Sequence, residues 1–408
     1  MKKLYSLLSL LIASGLMNAQ SVDCFSGRFD TEVFATYDLT SNVTYGANAD
    51  YNGTNTVLTM DIYQPHADTM VQRPLIIWVH GGSFLSGTKN DLDVTTLCQH
   101  FAKRGYVCAS INYRLGISFP YNQANATNAV YRSVQDLKAA IRFFRKDAAT
   151  ANTYTIDPTI IYAGGSSAGA FAALHLAYMD NYAELPTTID TTALGNLDGN
   201  SGNPGYSSNV NAIVDLCGAL GNKTWMHSTD IPFCAMHGDH DNTVPYATDV
   251  IKLLGFPIMT VDGSYSLAHY ADSIGLYNQF YTFFGSDHVP YYSSATFMDT
   301  TVRFVSNFLF RQLGCTPSDL NPLPNTFNTT SGINELASEY YFYPNPTSGV
   351  IRVKSQKSFT TLTITDLQGR IVLSKKVESN ETELNLSELK GLYILLGDKK
   401  VIGKVVVN

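Results

Sequence analysis

A serine between two glycines is the residue of this sequence best suited to covalent chemistry. Ser167 is the central residue of Gly165-Ser166-Ser167-Ala168-Gly169, which fits the pattern G-x-S-x-G. The flanking glycines let a strand and a helix approach closely, while the serine occupies a strained turn that exposes its hydroxyl. Ser166 does not fit, because Ala168 would then replace the second glycine. Ser167 is therefore a candidate nucleophile, and the alternative is an ordinary glycine turn.

Two later segments supply candidates for the acid and the base that an activated serine requires. The polar segment that follows an apolar strand ending at Met236 contains Asp239 and Asp241, and a carboxylate of this segment could orient a histidine. The alternative is a solvated loop. His288 comes after the last predicted strand, where a general base would stand, and His269 is the alternative base. Together with Ser167, the candidates run in the order serine, aspartate, histidine, each after a predicted strand.

A pair of glycines follows the first long apolar run. Leu75-Ile76-Ile77-Trp78-Val79 is typical of a strand buried on both faces of a sheet. It is followed by His80-Gly81-Gly82-Ser83-Phe84. Glycines in this position leave backbone N–H groups free to point into a cavity, where such donors can stabilise an oxyanion. The alternative is a tight turn without a ligand.

The elements that must position these groups alternate between strand and helix. The chain begins with an antiparallel hairpin predicted between Asp23 and Tyr63, and a mainly parallel sheet with right-handed crossovers is expected to follow. Arg114 and Asp136 are expected to form a structural ion pair. The strands and helices predicted after the hairpin lie at Leu75–Val79, Leu97–Arg104, Tyr106–Tyr113, Ala129–Lys146, Ile160–Ala163, Ala212–Leu216 and Ile231–Met236.

A polar insertion interrupts this pattern between Met179 and Asn209, and an insertion of this length usually forms a functional loop or a lid. Within it, Asp198 to Asn203 resembles a calcium loop only faintly, because no glutamate stands at the twelfth position. We interpret that segment as an ordinary turn. The aromatic residues that could line a substrate cleft are Phe84, Trp225, Tyr246 and those of the stretch from Tyr265 to Tyr281.

Composition limits the classes of partner. The 408 residues are 45% hydrophobic and 15% charged, which is enough for one large domain and a smaller one. The formal net charge is −7, from 27 basic and 34 acidic residues, and no basic run could neutralise several phosphates. Nucleic acid is therefore excluded as an expected partner, and an acidic surface argues against anionic membranes.

The first residues have the pattern of an export signal. Lys2 and Lys3 precede an apolar stretch from Leu4 to Leu16, and we expect cleavage after Ala19. A membrane-spanning helix would need about 20 apolar residues, more than this run provides, so no stable membrane span is expected. Export also makes disulfides plausible for the six cysteines. Cys24 and Cys315 bracket the predicted catalytic region, but the sequence leaves the pairing open, with buried free thiols as the alternative.

Composition changes again after Cys315. Residues 316–339 are polar and rich in proline, which is typical of a linker. Short alternating strands then predict a small β-sandwich up to Asn408. From its residues alone this region is a generic β-module, for which carbohydrate binding is one reading. The five strands expected there are Ile351–Val353, Leu362–Ile364, Ile371–Leu373, Leu392–Leu395 and Val405–Val407.

The region from Leu75 to Leu313 resembles an α/β-hydrolase of the esterase and lipase branch that carries an HGG-type oxyanion motif. The resemblance implies Ser167 as nucleophile, Asp241 as acid and His288 as base, with no metal or cofactor. It also implies an oxyanion hole formed by the N–H groups of Gly81, Gly82 and Ala168. Ser83 in place of a third glycine and Ser166 before the nucleophile depart from the family pattern. The matching segments are residues 80–84, 112–116, 165–169, 237–245 and 287–290.

The C-terminal region resembles a type IX secretion sorting domain. The resemblance is carried by Tyr343-Pro344-Asn345-Pro346-Thr347-Ser348-Gly349, by the turn from Asp366 to Arg370, by residues 386–393 and by the terminal Gly403-Lys404-Val405-Val406-Val407. It implies that the signal peptide takes the chain to the periplasm and that the type IX secretion machinery then moves it across the outer membrane. The tail is then removed or exchanged for a surface anchor.

Together these features predict a signal peptide (1–19), an α/β-hydrolase catalytic domain (20–315), a linker (316–339) and a sorting domain (340–408). The expected function is that of a secreted or surface-attached serine carboxylesterase that works through an acyl-enzyme intermediate. Polysaccharides carrying acetyl or feruloyl esters are candidate substrates. The alternatives are a secreted serine peptidase on the same fold and a binding protein that keeps the hydrolase fold without catalysis.

Overall fold

The structure is a computed structural model that describes residues 24–189, 191–325, 340–343, 347–355, 360–366, 370–377, 381–398 and 400–407. The chain divides into two compact units, Met1–Thr326 and Phe327–Asn408. The predicted signal peptide, residues 326–339 of the predicted linker and residues 344–346 of the sorting motif lie outside the described residues. Within the described ranges no helix is both long and apolar enough to cross a bilayer.

Strands and helices alternate along most of the first unit. Its strands are β1 (Tyr37–Ala49), β2 (Asn55–Pro65), β3 (Arg73–Val79), β4 (Val107–Ile111), β5 (Ile156–Ser166), β6 (Ala212–Leu216), β7 (Ala219–Leu220), β8 (Phe233–Gly238), β9 (Thr248–Leu253), β10 (Phe256–Gly263) and β11 (Asn278–Phe283). Its helices are α1 (Leu92–Lys103), α2 (Gln123–Ala149), α3 (Ala168–Tyr178), α4 (Thr191–Leu194), α5 (Ser264–Ile274) and α6 (Ala295–Gln312).

Eight strands form the main sheet of the first unit, in the order β1-β2-β4-β3-β5-β6-β8-β11. The β1–β2 and β2–β4 pairs are antiparallel, and every later pair is parallel. A second sheet has the order β7-β10-β9. The predicted antiparallel first hairpin and mainly parallel sheet are therefore confirmed.

Strand register brings the predicted functional segments to one edge of the main sheet. Val79 pairs with Gly165, which in turn pairs with Asp215, so β3, β5 and β6 end side by side. Gly238 at the end of β8 pairs with Phe283 at the end of β11. In an open parallel sheet, sites form outside the carboxyl ends of the strands. The glycine pair, the serine, the acid and the base all follow such ends.

Helix α3 is nearly enclosed by its neighbours, which is expected because its residues are apolar all round, with His175 and Tyr178 as the exceptions. A Cβ atom at Gly169 would lie 1.9 Å from the Val79 carbonyl oxygen, and one at Gly165 would lie 2.2 Å from the Gly169 carbonyl carbon. Only glycine permits this approach of helix to strand. The two glycines of the sequence pattern therefore set the distance between α3 and the sheet.

The polar insertion is anchored to α2 by a buried ion pair and its partners. Arg114 Nε donates to both carboxylate oxygens of Asp136 (2.9 and 3.0 Å), as the predicted structural ion pair requires. Ser201 of the insertion donates to Asp136 Oδ1 (2.6 Å), and Arg142 donates to the Asp198 carbonyl oxygen (2.6 Å). Asp198 and Ser201 of the insertion are thus held in place by hydrogen bonds with two side chains of α2.

A disulfide joins the two ends of the described part of the first unit. Cys24 is bonded to Cys315, with Cα atoms 5.4 Å apart and the two residues 291 positions apart in sequence. The other cysteines, Cys98, Cys108, Cys217 and Cys234, are buried free thiols. The sequence left open whether the cysteines form disulfides or stay as buried free thiols. The structure contains one disulfide and four buried free thiols.

The second unit consists of two antiparallel sheets with a shared apolar core. Their orders are β12-β13-β16 and β15-β14-β17-β18, and side chains such as Ile351 and Leu395 from the two sheets pack in one cluster. The predicted β-sandwich and its five strands are confirmed. The strands are β12 (Tyr340–Tyr343), β13 (Val350–Ser355), β14 (Thr361–Thr365), β15 (Ile371–Lys376), β16 (Glu381–Asn385), β17 (Gly391–Gly397) and β18 (Lys400–Val407).

Candidate active site

Ser167 occupies the sharp turn between β5 and α3. Its φ of 54° and ψ of −119° are unusual for a residue with a side chain, and such strain is typical of functional turns. The backbone N–H donates to the Leu216 carbonyl oxygen (2.8 Å), which fixes the turn against β6. Because the main chain is held in this way, the hydroxyl is directed out of the sheet toward His288.

A continuous row of hydrogen bonds links Ser167, His288 and Asp241. The Ser167 hydroxyl lies 2.8 Å from His288 Nε2, and His288 Nδ1–H donates to Asp241 Oδ2 (2.6 Å). The three residues are 121 and 47 positions apart in sequence. With the proton of Nδ1 committed to Asp241, Nε2 is left as an acceptor for the serine proton. This is the arrangement that the sequence predicts.

The Asp241 carboxylate is held in its charged form by four donors. Oδ1 accepts from the backbone N–H groups of Thr243 (2.8 Å) and Val244 (2.9 Å), while Oδ2 faces His288 and His237 Nε2 (3.0 Å). Burial by itself would raise the pKa of Asp241, but the hydrogen bonds from His237 and His288 outweigh it and hold the pKa far below the usual range. Asp241 is therefore ionised at neutral pH.

The alternative acid and base lie away from this row. Asp239 bonds to His240 Nδ1 (2.8 Å) and to the Gly285 N–H (2.6 Å). His269 is exposed on α5, where its ring stacks on Tyr265. The structure thus brings Asp241 and His288 to the serine and places Asp239 and His269 elsewhere.

The loop with the glycine pair packs directly on the serine turn. A Cβ atom at Gly81 would lie 3.2 Å from Ser167 Cβ, and Gly82 has a φ of 103°. Ala168 is the first residue of α3, so its N–H has no partner within the helix. Ser83 has a φ of 54°, a left-handed conformation that glycine adopts without strain. The serine that stands in place of the third glycine therefore adopts a conformation that is strained for a residue with a side chain.

Ser166 is tied into the interior of the protein. Its hydroxyl bonds to the Tyr291 hydroxyl (2.8 Å), which also donates to the Leu216 carbonyl oxygen (3.2 Å). Burial raises the pKa of Asp93, although a hydrogen bond from Ser166 acts against that shift. The second departure from the family pattern is thus a buried polar contact beneath the turn, separate from the row of Ser167, His288 and Asp241.

An apolar cavity opens beside Ser167. Its walls come from α2, α3, the polar insertion and the hairpin formed by β9 and β10. Of the predicted aromatic residues, Phe84 and Trp225 line it, whereas Tyr246 packs against His237 and Tyr265. The sequence analysis missed the hairpin, which contributes Ile251, Met259 and Val261.

His175 closes part of the cavity wall as a neutral side chain. Nδ1–H donates to the Phe171 carbonyl oxygen (2.8 Å), and Nε2 accepts from the Gly221 N–H (3.3 Å). Burial lowers the pKa of His175 to about 4, and the hydrogen bond to Phe171 only partly offsets that shift. The cavity is therefore uncharged at this point of its wall at neutral pH.

We expect acidification to destabilise the first unit through His175. The unfolded chain takes up this proton below pH 6.5 or so, whereas the folded protein stays unprotonated until about pH 4. Stability present at neutral pH is thus lost as the pH falls through this window, by on the order of 3 kcal/mol. Urea unfolding of the wild type and His175→Gln across this range measures the effect. Equal pH dependence in the two proteins would contradict it.

One group of side chains in the described ranges could share a metal ion. Cys217, Asp241 and His288 have ligand atoms within 4.8 Å of one another. Burial raises the pKa of the Cys217 thiol, so it is a poor source of thiolate. Asp241 and His288 are moreover bonded to each other. These residues fit a hydrogen-bonded row better than a metal site.

Two family models match parts of this chain. Residues 60–227 match the family model described as BD-FAE, and residues 341–408 match the one described as a secretion system C-terminal sorting domain. The chain thus has one segment similar to BD-FAE and one similar to the sorting domain. The predicted resemblance to the α/β-hydrolase esterases and to a sorting domain is therefore confirmed. The sorting domain marks the protein as secreted or attached to the cell surface.

Curated relatives match over a short part of the chain. Carboxylesterase 3B of Mus musculus is 32% identical over 113 residues, and Neuroligin-like protein glit-1 of Caenorhabditis elegans is 30% identical over 115. Each match covers 28% of this chain, and 19% and 15% of the respective relative. The chain thus spans less than a fifth of the length of these relatives.

Among solved structures, a truncated form of a carbohydrate esterase from gut microbiota is 22% identical. The match covers 70% of this chain and 99% of that one, with a TM-score of 0.48.

The BD-FAE match contains the glycine pair and Ser167 but ends before Asp241 and His288. The roles of the acid and the base therefore depend on the geometry described above.

Proposed function

We propose that the first unit is a serine carboxylesterase with Ser167 as nucleophile, His288 as general base and Asp241 as the acid that orients it. The N–H groups of Gly81, Gly82 and Ala168 form its oxyanion hole. The observation that carries this proposal is the row of hydrogen bonds from the Ser167 hydroxyl through His288 to Asp241, at 2.8 and 2.6 Å, beside an apolar cavity. Such a row is the geometry of an activated serine nucleophile.

The proposed reaction is acyl transfer in two steps. Ser167 Oγ attacks the ester carbonyl carbon while its proton passes to His288 Nε2, and the oxyanion hole holds the negative charge on the carbonyl oxygen. Collapse of this intermediate breaks the bond to the alcohol oxygen, which takes the proton from His288 and leaves an acyl-enzyme. A water molecule then gives its proton to His288 and attacks the acyl carbon. The returning proton restores Ser167 as the acid departs.

The cavity directs the proposal about substrate. Its apolar walls extend from Ser167 to the hairpin of β9 and β10 and offer more apolar surface than an acetyl group could cover. We therefore expect acyl groups larger than acetyl to be preferred, with feruloyl esters of polysaccharides as one candidate. The sorting domain adds a protein partner to the proposal, namely the type IX secretion machinery.

A panel of p-nitrophenyl esters from acetyl to palmitoyl, with methyl ferulate and acetylated xylan, tests the proposal together with a fluorophosphonate probe. We expect ester turnover and one equivalent of label on the peptide that contains Ser167. Label on Ser167 with peptide but not ester turnover would indicate the peptidase alternative. A folded protein without label or turnover would indicate a binding protein.

A further inference from the structure

A second histidine lies behind the row of Ser167, His288 and Asp241. His237, on β8, is fully buried, and its Nε2 is 3.0 Å from Asp241 Oδ2 and 3.3 Å from the Val244 carbonyl oxygen. Both neighbours of Nε2 can only accept hydrogen bonds, because Asp241 is ionised. Nε2 must therefore carry a proton, and that proton points at the carboxylate.

The other ring nitrogen of His237 leads to a buried serine and a buried aspartate. Nδ1 lies 2.7 Å from the hydroxyl oxygen of Ser264, the first residue of α5. That hydroxyl lies 2.7 Å from Asp215 Oδ2 on β6, and the Gly218 N–H donates to Asp215 Oδ1 (2.8 Å). All three side chains belong to fully buried residues.

Counting protons leaves two states for this chain of groups. If Asp215 is ionised, Ser264 donates to it and accepts from Nδ1–H, so His237 is a cation between two carboxylates. If Asp215 is protonated, it donates to Ser264, and Ser264 donates to Nδ1, so both Asp215 and His237 are neutral. The second state buries fewer charges, and removing charges from water is costly. Burial also raises the pKa of Asp215, against the opposing hydrogen bond from Ser264.

We propose that Asp215, Ser264 and His237 form a neutral buried relay that fixes the Nε2–H tautomer of His237 and thereby holds the Asp241 carboxylate in place for His288. His237 is in this view a positioning residue. The proposal rests on the proposed function for its kinetic consequence. Its structural content, the tautomer of His237, does not depend on any activity.

Other ionisable groups around the relay carry no charge that would compete with it. Cys217 faces Asp241, while Cys234 and Tyr178 lie near Asp215, and burial raises the pKa of each of these groups. The Tyr246 ring packs edge-on against His237, and burial raises its pKa as well. The charged groups that face the relay are thus Asp241 and, when protonated, His288.

Loss of the His237 donor should make Asp241 a stronger acceptor and raise the proton affinity of His288. We expect His237→Leu to lower kcat about 100-fold with little change in KM. The acid limb of the kcat/KM profile should move up by about one pH unit. His237→Gln supplies an N–H near the position of Nε2, so it should recover at least about tenfold of the loss and return the acid limb toward that of the wild type.

Asp215→Asn tests where the proton lies. An asparagine can accept from the Gly218 N–H and donate to Ser264, so a neutral relay predicts that the pH profile of kcat/KM in Asp215→Asn is close to that of the wild type. Ser264→Ala should shift the acid limb of that profile as His237→Leu does. Cys234→Ala changes another buried residue of β8, the strand that carries His237. It is the control and should leave the acid limb of the kcat/KM profile unchanged. The proposal would be overturned if the acid limb of Asp215→Asn lay at as high a pH as that of His237→Leu. Equal losses of kcat in His237→Leu and His237→Gln would also overturn it.

Nitrogen-15 spectra of the histidine rings provide the readout that needs no substrate. The expected signal is a neutral ring of His237 protonated at Nε2 in the wild type and in Asp215→Asn. An imidazolium signal at neutral pH would overturn the relay even in an active esterase. If the wild type shows the neutral tautomer but hydrolyses no ester, the proposed function fails while the relay stands.

Discussion

Ser167→Ala should lower kcat/KM for esters by at least about 10⁴-fold, because the substitution removes the attacking oxygen and leaves only the oxyanion hole and substrate binding. The fold should persist, since the hydroxyl bonds to His288 and the turn is held by the backbone contact with Leu216. Steady-state kinetics on the ester with the highest turnover, with circular dichroism of both proteins, measures the effect.

The neighbouring serine is a matched control. Ser166 is buried and bonded to Tyr291, so Ser166→Ala should cost about 1 kcal/mol of stability and keep activity within about tenfold. Retained activity in Ser167→Ala, or loss confined to Ser166→Ala, would contradict the assignment of the nucleophile.

Gly169→Ala should have the largest effect on stability among single methyl additions around the site. The new Cβ would lie 1.9 Å from the Val79 carbonyl oxygen and 2.8 Å from that of His80, and both are backbone atoms of the strand and loop that precede the glycine pair. The helix must move away from β3, which we expect to cost at least about 3 kcal/mol. It should also separate Gly81 from Ser167. Urea unfolding and ester kinetics measure the two losses.

Gly275→Ala is the control for this substitution. Gly275 has a φ of 76° but nothing within 4 Å of an added Cβ, so its replacement adds strain without a clash. A cost of about 1 kcal/mol is expected there, with unchanged activity. If Gly169→Ala proved no more costly than Gly275→Ala, close packing of α3 would not explain the second glycine of the pattern.

Local sequence patterns were sufficient to predict the elements around the site. The apolar run before His80 predicts a buried strand, and the glycines on either side of Ser167 predict a tight passage from strand to helix. Both patterns report on contacts between near neighbours in sequence. Because strand ends meet at one edge of a parallel sheet, the order along the chain predicts that Ser167, the polar segment after β8 and His288 meet there. That order does not distinguish Asp239 from Asp241, and the resemblance to the esterases is what favours Asp241.

The hairpin of β9 and β10 could not be found in this way. Its turn contains Leu254 and Gly255 with φ values of 50° and 86°, and leucine is not a residue that signals such a turn. Most of β9 is also exposed, so no buried face gives it an apolar pattern. One wall of the cavity therefore depends on a turn whose conformation is determined by the rest of the folded protein and not by its local sequence.

The hydrogen-bond partners of His237 could not be predicted from the sequence for a different reason. Ser264 and Asp215 are separated by 49 residues, and Ser264 and His237 by 27, so no local spacing connects them. In the second unit, β16 was missed because its sequence Glu381-Thr382-Glu383-Leu384-Asn385 contains a single large apolar residue. Only the fold makes these residues neighbours.

The bridge between Cys24 and Cys315 makes the chain between them a covalent ring. A ring keeps its connectivity when either end of the chain outside it is trimmed, so loss of residues before Cys24 or after Cys315 leaves Ser167, Asp241 and His288 on one closed loop. Such bonds form in oxidising compartments and not in a reducing cytosol. The chain is thus open while it is being made and closes only after it has left the cytosol.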